Sequence, residues 1–210
     1  MRLALVTQRV AVIESYQERR DCLDQGWADF LGRCGFVPCP VMNRVEVAAE
    51  LIGRLSPELI VLTGGNDLVS YGGQAPERDQ VETELLKLAI AGRIPVLGVC
   101  RGMQLIHAFF GGRLVEVAEH VALRHQISMQ GTSRTVNSYH NWGINHPPPE
   151  FNVDARALDG TVEGMQHSIY PVQGIMWHPE REKKTEDADI FLVAQLLKRA
   201  GNMKGEWKCR

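Results

Sequence analysis

The sequence predicts an α/β protein: a doubly wound, mostly parallel sheet flanked by helices, flavodoxin-like in plan, with small antiparallel additions in its second half. Three observations carry this expectation. Strand-length apolar runs alternate with helical periods through the first half of the 210 residues. Two of those runs end in glycine-containing turns, at Thr63-Gly64-Gly65 and at Gly98-Val99-Cys100-Arg101-Gly102, and the second turn opens a helix. In the second half the pattern changes to short strands joined by turns. Strand and helix alternating at this spacing form βαβ units, which assemble into parallel sheets.

Each element has its own signal. Residues 3–7 are a compact apolar run and read as the first strand. Residues 18–33 place Cys22, Leu23, Trp27, Phe30 and Leu31 at a helical period. Residues 36–42 are a second strand and 45–55 a helix. Residues 58–63 form a buried strand that runs into Gly64-Gly65. Residues 78–91 are helical, 95–99 a further buried strand, and 101–110 a helix ended by Gly111-Gly112. Residues 134–138, 153–158, 161–167 and 172–177 read as short strands. Pro147-Pro148-Pro149 is a stiff loop. Residues 187–200 form a final amphipathic helix, followed by a polar stretch, 201–210, read as frayed and carrying Cys209. A single domain over residues 1–210 is expected.

Composition narrows the function. With 44% hydrophobic and 23% charged residues the chain matches globular proteins, not disordered, collagenous or coiled-coil ones. A net charge of -2 provides no strong basic field for nucleic acid. The longest apolar runs, residues 59–62 and 94–100, fall far below the ~20 residues of a membrane helix. The N-terminus reads as a strand, not a signal peptide. Five cysteines, an odd number without a CxxC pair, indicate free thiols and a cytoplasmic location. His, Cys and acidic residues show no ligand spacing, so no metal is expected. No cofactor is expected either, and no GxxxxGK[ST] phosphate loop is present.

Two motifs carry chemistry. Cys100 lies between Gly98 and Gly102 where a buried strand turns into a helix. This is the pattern of a nucleophile elbow, whose tight turn admits only small neighbours. A helix N-terminus favours a thiolate, and its free N–H groups, from Arg101 onward, can donate to an oxyanion. The bland alternative is a buried cysteine on a glycine-containing turn. The base is sought among seven histidines. His107 falls within a helix, and His120, His125 and His146 fall in loop-like stretches where a solvated histidine is the default. His178 differs: it follows a strand and stands in Trp177-His178-Pro179-Glu180. A carboxylate two residues on can fold back on the imidazole and fix its tautomer. A surface turn with an incidental charge pair is the competing reading.

Taken together, the Gly98–Gln104 elbow, the Thr63-Gly64-Gly65 turn and Trp177-His178-Pro179-Glu180 resemble the class I glutamine amidotransferase domain, and more narrowly its γ-glutamyl hydrolase-like branch. The resemblance implies a triad of Cys100 as nucleophile, His178 as base and then acid, and Glu180 orienting His178. It also implies an oxyanion hole from the Gly65 and Arg101 backbone N–H groups, with Gln104 lining the glutamyl pocket. The segment 136–143 resembles the family stretch that clasps the glutamyl end, which puts Ser138, Tyr139 and His140 near the substrate. Pro76-Glu77-Arg78-Asp79 resembles a branch motif. Arg78 then binds a carboxylate, or pairs with Asp79 at a helix start.

Cys-Arg-Gly at the elbow is similar to stand-alone γ-glutamyl hydrolases rather than synthetase-linked relatives. Thr7-Gln8-Arg9, residues 16–21, Leu23-Asp24 and Trp27 resemble the γ-glutamyl-CDP-amidate hydrolases of capsule phosphoramidate synthesis. That branch implies a pyrophosphate-bearing substrate, for which arginine is the natural partner. Arg9, Arg19 and Arg20 are the candidates, with a solvated helix face the alternative for the latter two. The expected partner is therefore a small γ-glutamyl molecule, not nucleic acid or membrane. A homodimer stays open, and a synthetase partner is disfavoured. The rival functions are a γ-glutamyl-aminobutyrate hydrolase and a glutaminase subunit.

Overall fold

A computed structural model describes residues 2–129 and 131–207. Its main sheet has nine strands in the order β4-β1-β5-β6-β13-β12-β11-β8-β9. The parallel half comprises β1 (Arg2–Thr7), β4 (Phe36–Val41), β5 (Leu59–Leu62), β6 (Val96–Val99) and β13 (Val172–Ile175). The antiparallel half comprises β8 (Val121–Met129), β9 (Thr132–Tyr139), β11 (Phe151–Ala157) and β12 (Val162–His167). Two short pairs stand apart: β2 (Arg9–Ile13) with β3 (Glu18–Cys22), and β7 (Val115–Glu116) with β10 (Trp142–Gly143).

The apolar strands are buried on both faces because helices cover both. Leu5, Ile60, Leu62 and Val96 pack towards α2 (Val45–Leu55), α3 (Pro76–Gly92) and α4 (Arg101–Phe109). Ala4, Val6, Leu59, Val61 and Leu97 pack towards α1 (Gly26–Arg33) and α5 (Asp187–Trp207). Continuous hydrophobic runs are the signature of a sheet covered in this way. Pro38 and Pro40 lie in β4, which pairs only with β1 at the sheet edge, where missing N–H groups break no ladder. The parallel strands bring the chain after Thr7, Leu62, Val99 and Ile175 to one edge of the sheet, where α/β proteins bind ligands.

Three expectations are corrected. Residues 18–33 are not one helix: β3 occupies Glu18–Cys22 as half of a hairpin, and α1 begins at Gly26. The stretch holding His125 is strand β8, not loop, and His120 directly precedes it. The last helix runs on past Ala200 to Trp207, and Cys209 lies outside the described residues. Among the described residues no helix is long and apolar enough to cross a membrane.

Candidate active site

Cys100 terminates β6 and caps α4 with φ 51° and ψ -106°, a backbone conformation that side chains rarely adopt. Its own N–H is held by the Ile175 carbonyl at 2.8 Å, and Gln104 N–H closes the first turn on the Cys100 carbonyl at 3.0 Å. The flanking glycines are a packing requirement: a Cβ on Gly102 would lie 2.0 Å from the Leu62 carbonyl oxygen, and one on Gly98 2.7 Å from the Gly102 backbone. Non-glycine strain of this kind costs about 1–3 kcal/mol and persists only where the surroundings enforce it.

His178 follows β13 and is buried, as is Glu180 in the succeeding 3-10 turn. His178 Nδ1 is 2.7 Å from Glu180 Oε1, which fixes the proton on Nδ1 and leaves Nε2 as the second working nitrogen. Nε2 is buried and has no hydrogen-bond partner among the described residues. Burial alone would lower the His178 pKa. The Cys100 thiolate and the Glu180 carboxylate outweigh it and raise the group to about 9. Asn137 locks the His178 backbone on both sides, accepting its N–H at 2.8 Å and donating to its carbonyl at 2.9 Å. Gly64 lies against the ring, where a Cβ would stand 2.5 Å from Cε1.

The Thr63–Gly65 turn is held from behind. Arg78 is fully buried, and its guanidinium donates to the carbonyls of Thr63 at 2.6 Å, Gly64 at 3.1 Å and Gly65. In a trans peptide the N–H points opposite the preceding carbonyl. Gly64 C=O faces Arg78, so the Gly65 N–H is directed away from it. Among the described residues neither the Gly65 nor the Arg101 N–H donates to another backbone group. Arg78 also meets Glu82 at 2.9 Å, and Glu82 takes Arg101 on its other oxygen. Arg101 reaches Asp79 as well. One buried ion network thus anchors both the turn and the elbow.

Several expected substrate contacts change accordingly. Arg78 is not free for a substrate carboxylate, because backbone carbonyls and Glu82 occupy its donors; its carboxylate partner is Glu82, not Asp79. The Ser138 hydroxyl is buried and donates to the His120 carbonyl at 2.6 Å. His140 is buried with Nδ1 on the Trp142 carbonyl at 3.1 Å. Arg19 pairs with Glu77 and the Gln74 carbonyl, and Arg20 with Glu18 and the Tyr16 hydroxyl, both on the hairpin rather than on a helix face.

Gln104 donates to the Trp142 carbonyl at 2.9 Å. Tyr139 remains near the histidine: its ring stands edge-on to His178 at 5.6 Å, with the Arg181 guanidinium over it at 4.7 Å. Arg9 is exposed beside Gly65 and forms no ion pair among the described residues. A small cavity lined by Arg9, Cys22, Asp24, Gly64, Glu180 and Arg181 opens there. Asn137, Glu82 and Arg181 escape a reading of the sequence. Only the position of Asn137 within the 136–143 segment offers a signal.

Fold and site define an α/β protein in which a strained cysteine elbow faces a carboxylate-oriented histidine across the carboxyl edge of a parallel sheet. The sequence model of glutamine amidotransferase class I matches residues 33–194, and the chain belongs to that family. It is 29% identical to the gamma-glutamyl-CDP-amidate hydrolase of Campylobacter jejuni, over 89% of this chain and 94% of that protein. It is 30% identical to the glutamine-hydrolysing GMP synthase subunit of Methanopyrus kandleri, over 69% of this chain and 82% of that one. A crystal structure from Thermoplasma acidophilum, provisionally a GMP synthase subunit, superposes with a TM-score of 0.75 at 19% identity, covering 99% and 98% of the two chains. That likeness concerns the fold.

Proposed function

We propose that the chain is a stand-alone hydrolase of a γ-glutamyl amide, working through Cys100, His178 and Glu180. The observation that carries this reading is the His178 imidazole: buried, fixed through Nδ1 by Glu180, raised by the Cys100 charge, and unpartnered at Nε2.

In this reading the Cys100 thiolate attacks the γ-carbonyl carbon, forming a C–S bond. The carbonyl oxygen becomes an oxyanion and takes the Gly65 and Arg101 N–H groups, each worth about 3 kcal/mol in the transition state. Collapse breaks the C–N bond as His178 Nε2–H protonates the leaving nitrogen. A water then gives its proton to Nε2 and attacks the thioester. The C–S bond breaks, glutamate leaves, and the thiolate–imidazolium pair returns. Proton transfer of this kind is worth on the order of 10²–10⁴ in rate.

The substrate we infer is γ-glutamyl-CDP-amidate, cleaved to glutamate and cytidine diphosphoramidate in capsule phosphoramidate synthesis. Two things support it. The likeness to the Campylobacter hydrolase spans nearly all of both chains. Arg9, which opens β2 just past the carboxyl end of β1, also offers beside the site a guanidinium with no ion pair among the described residues, and a groove lined by Gln8, Arg19, Asp21, Asn43, Arg44 and Glu77 adds Arg44. A nucleoside diphosphate needs such cations. A second reading, a glutaminase subunit of a synthetase, is favoured by the likeness to the Methanopyrus GMP synthase subunit.

Glutamate release by the chain alone tests both. It is measured with γ-glutamyl-CDP-amidate, γ-glutamyl-aminobutyrate and glutamine, with Cys100→Ala as the blank. Release fastest from the nucleotide conjugate, with a higher KM in Arg9→Ala, is the expected result. Preference for the aminobutyrate conjugate would replace the leaving group. No release from any of the three would favour the synthetase-linked reading.

A further inference from the structure

Away from the cysteine, β8 and β9 bring three histidines to one buried carboxylate on β12. Glu163 on β12 is fully buried, and neither of its oxygens has a hydrogen-bond partner among the described residues. Around it stand His120 just before β8, His125 within β8 and His140 just beyond β9. His120 Nδ1 is 3.5 Å and His140 Nε2 3.4 Å from Glu163 Oε1, the two nitrogens are 3.3 Å apart, and His125 Nε2 is 3.4 Å from Oε2. His120, His125 and Glu163 each offer a ligand atom within 4.8 Å of the others.

Proton counting shows what the cluster lacks. His120 Nε2 faces the Asp159 carboxylate at 3.0 Å, an acceptor, so Nε2 carries the proton and the neutral ring turns a lone pair inward from Nδ1. His140 Nδ1 faces the Trp142 carbonyl at 3.1 Å, so its inward Nε2 is a lone pair by the same reasoning. With both rings neutral, two imidazole lone pairs and a carboxylate oxygen converge with no donor between them. A charge-assisted N–H to carboxylate bond would close to about 2.7–2.9 Å. The 3.3–3.5 Å separations among His120 Nδ1, His140 Nε2 and Glu163 Oε1 instead match the edge of a tetrahedron with metal–ligand bonds of about 2.0–2.1 Å, which is about 3.3 Å, and His125 Nε2 approaches from the side of the second carboxylate oxygen.

We propose that His120, His125, His140 and Glu163 bind a divalent transition-metal cation of the zinc class. The outer contacts are those such sites use: a carboxylate, Asp159, on one imidazole and a backbone carbonyl on another. The site is buried behind the 138–142 segment, with His120, His140 and Glu163 almost without exposure, which makes its role structural rather than catalytic. Its place explains its use. Ser138 Oγ and His140 N–H both donate to the His120 carbonyl, at 2.6 and 3.0 Å, and the Trp142 carbonyl that holds His140 also takes Gln104. Tyr139, between them, packs on His178. The cation braces the 138–142 wall of the candidate active site.

Sequence spacing predicts no metal here because the ligands are local to no motif. They come from β8, the end of β9 and β12, and meet only through the β8–β9 pairing and the placement of β12 two strands from β8 in the sheet.

The test uses the full chain, freed of any affinity tag and dialysed, with zinc content measured by plasma mass spectrometry and added Co²⁺ followed by visible spectroscopy. About one zinc per chain is expected, together with intense four-coordinate Co²⁺ bands that saturate at one equivalent and are displaced by Zn²⁺. Glu163→Gln and His125→Ala should lose the bands. Asp159→Asn, at a half-exposed position outside the shell, should keep the fold by circular dichroism and weaken zinc binding about 10–100-fold. Wild-type protein with under about a tenth of an equivalent of zinc and no saturable Co²⁺ band would overturn the proposal and leave a protonated histidine–glutamate network.

Discussion

Glu82→Gln isolates the ion network beneath the site. The substitution keeps the side-chain volume and the acceptor for Thr7, which donates to Oε1 at 2.6 Å, so no cavity opens. It removes the charge shared by Arg78 and Arg101, both fully buried, and leaves Asp79 as the sole carboxylate on either. Stripping one partner from a buried ion pair costs about 3–5 kcal/mol. For a chain of this size that lowers Tm by about 6–20 °C. The control is Glu58→Gln, which breaks the exposed pair with Arg2 and should cost about 0–1 kcal/mol.

Calorimetry and urea unfolding read both variants, and acidification adds a sign. Burial pushes the Glu82 carboxyl up, but Arg101 and Arg78 outweigh burial and hold it below its ordinary value. A depressed folded pKa gives stability that is present above the unfolded value and lost as pH falls through the folded one. The gap between wild type and Glu82→Gln should therefore narrow in acid. A Tm change no larger than that of Glu58→Gln, or a gap that does not move with pH, would refute the network.

Other consequences follow from the same geometry. Gly64→Ala puts a methyl 2.5 Å from His178 Cε1, so the ring must move, and kcat should fall about 100-fold; unchanged activity would contradict the contact. Cys100→Ala removes a charge that raises His178, so its imidazole titration by NMR should drop from about 9 towards the ordinary histidine range. The sign for stability follows: a raised histidine contributes fully below its unfolded pKa and loses that contribution as pH rises through about 9. An unmoved titration would separate the thiol from the ring. Glu180→Gln should lower kcat less than His178→Ala, because orientation is secondary to proton transfer; the reverse order would remove Glu180 from its orienting role.

The parallel half of the fold was legible because its strands are buried on both faces and therefore read as unbroken apolar runs. The β2–β3 hairpin was not. Glu-Arg-Arg-Asp-Cys carries no alternation, and pairing with Arg9–Ile13 decides its state. Helical spacing from Cys22 to Leu31 masked the break at Gly26. At the site, motifs with local spacing could be read: the elbow, the turn and His-Pro-Glu. What could not be read were contacts made across the fold. Arg78 looked like a ligand-binding cation until its donors were seen on the backbone of residues 63–65. His120 and His125 looked solvated until β8 brought them to Glu163.

Covalent capture tests the central claim most directly. The chain is mixed with its fastest γ-glutamyl substrate, quenched in acid within the first turnovers, and its intact mass and peptides are measured. The account predicts a mass gain of one glutamyl group on the peptide carrying Cys100, labile to hydroxylamine and absent in Cys100→Ala. Steady glutamate release by a Cys100→Ala protein, or a glutamyl group trapped on any other residue, would contradict it.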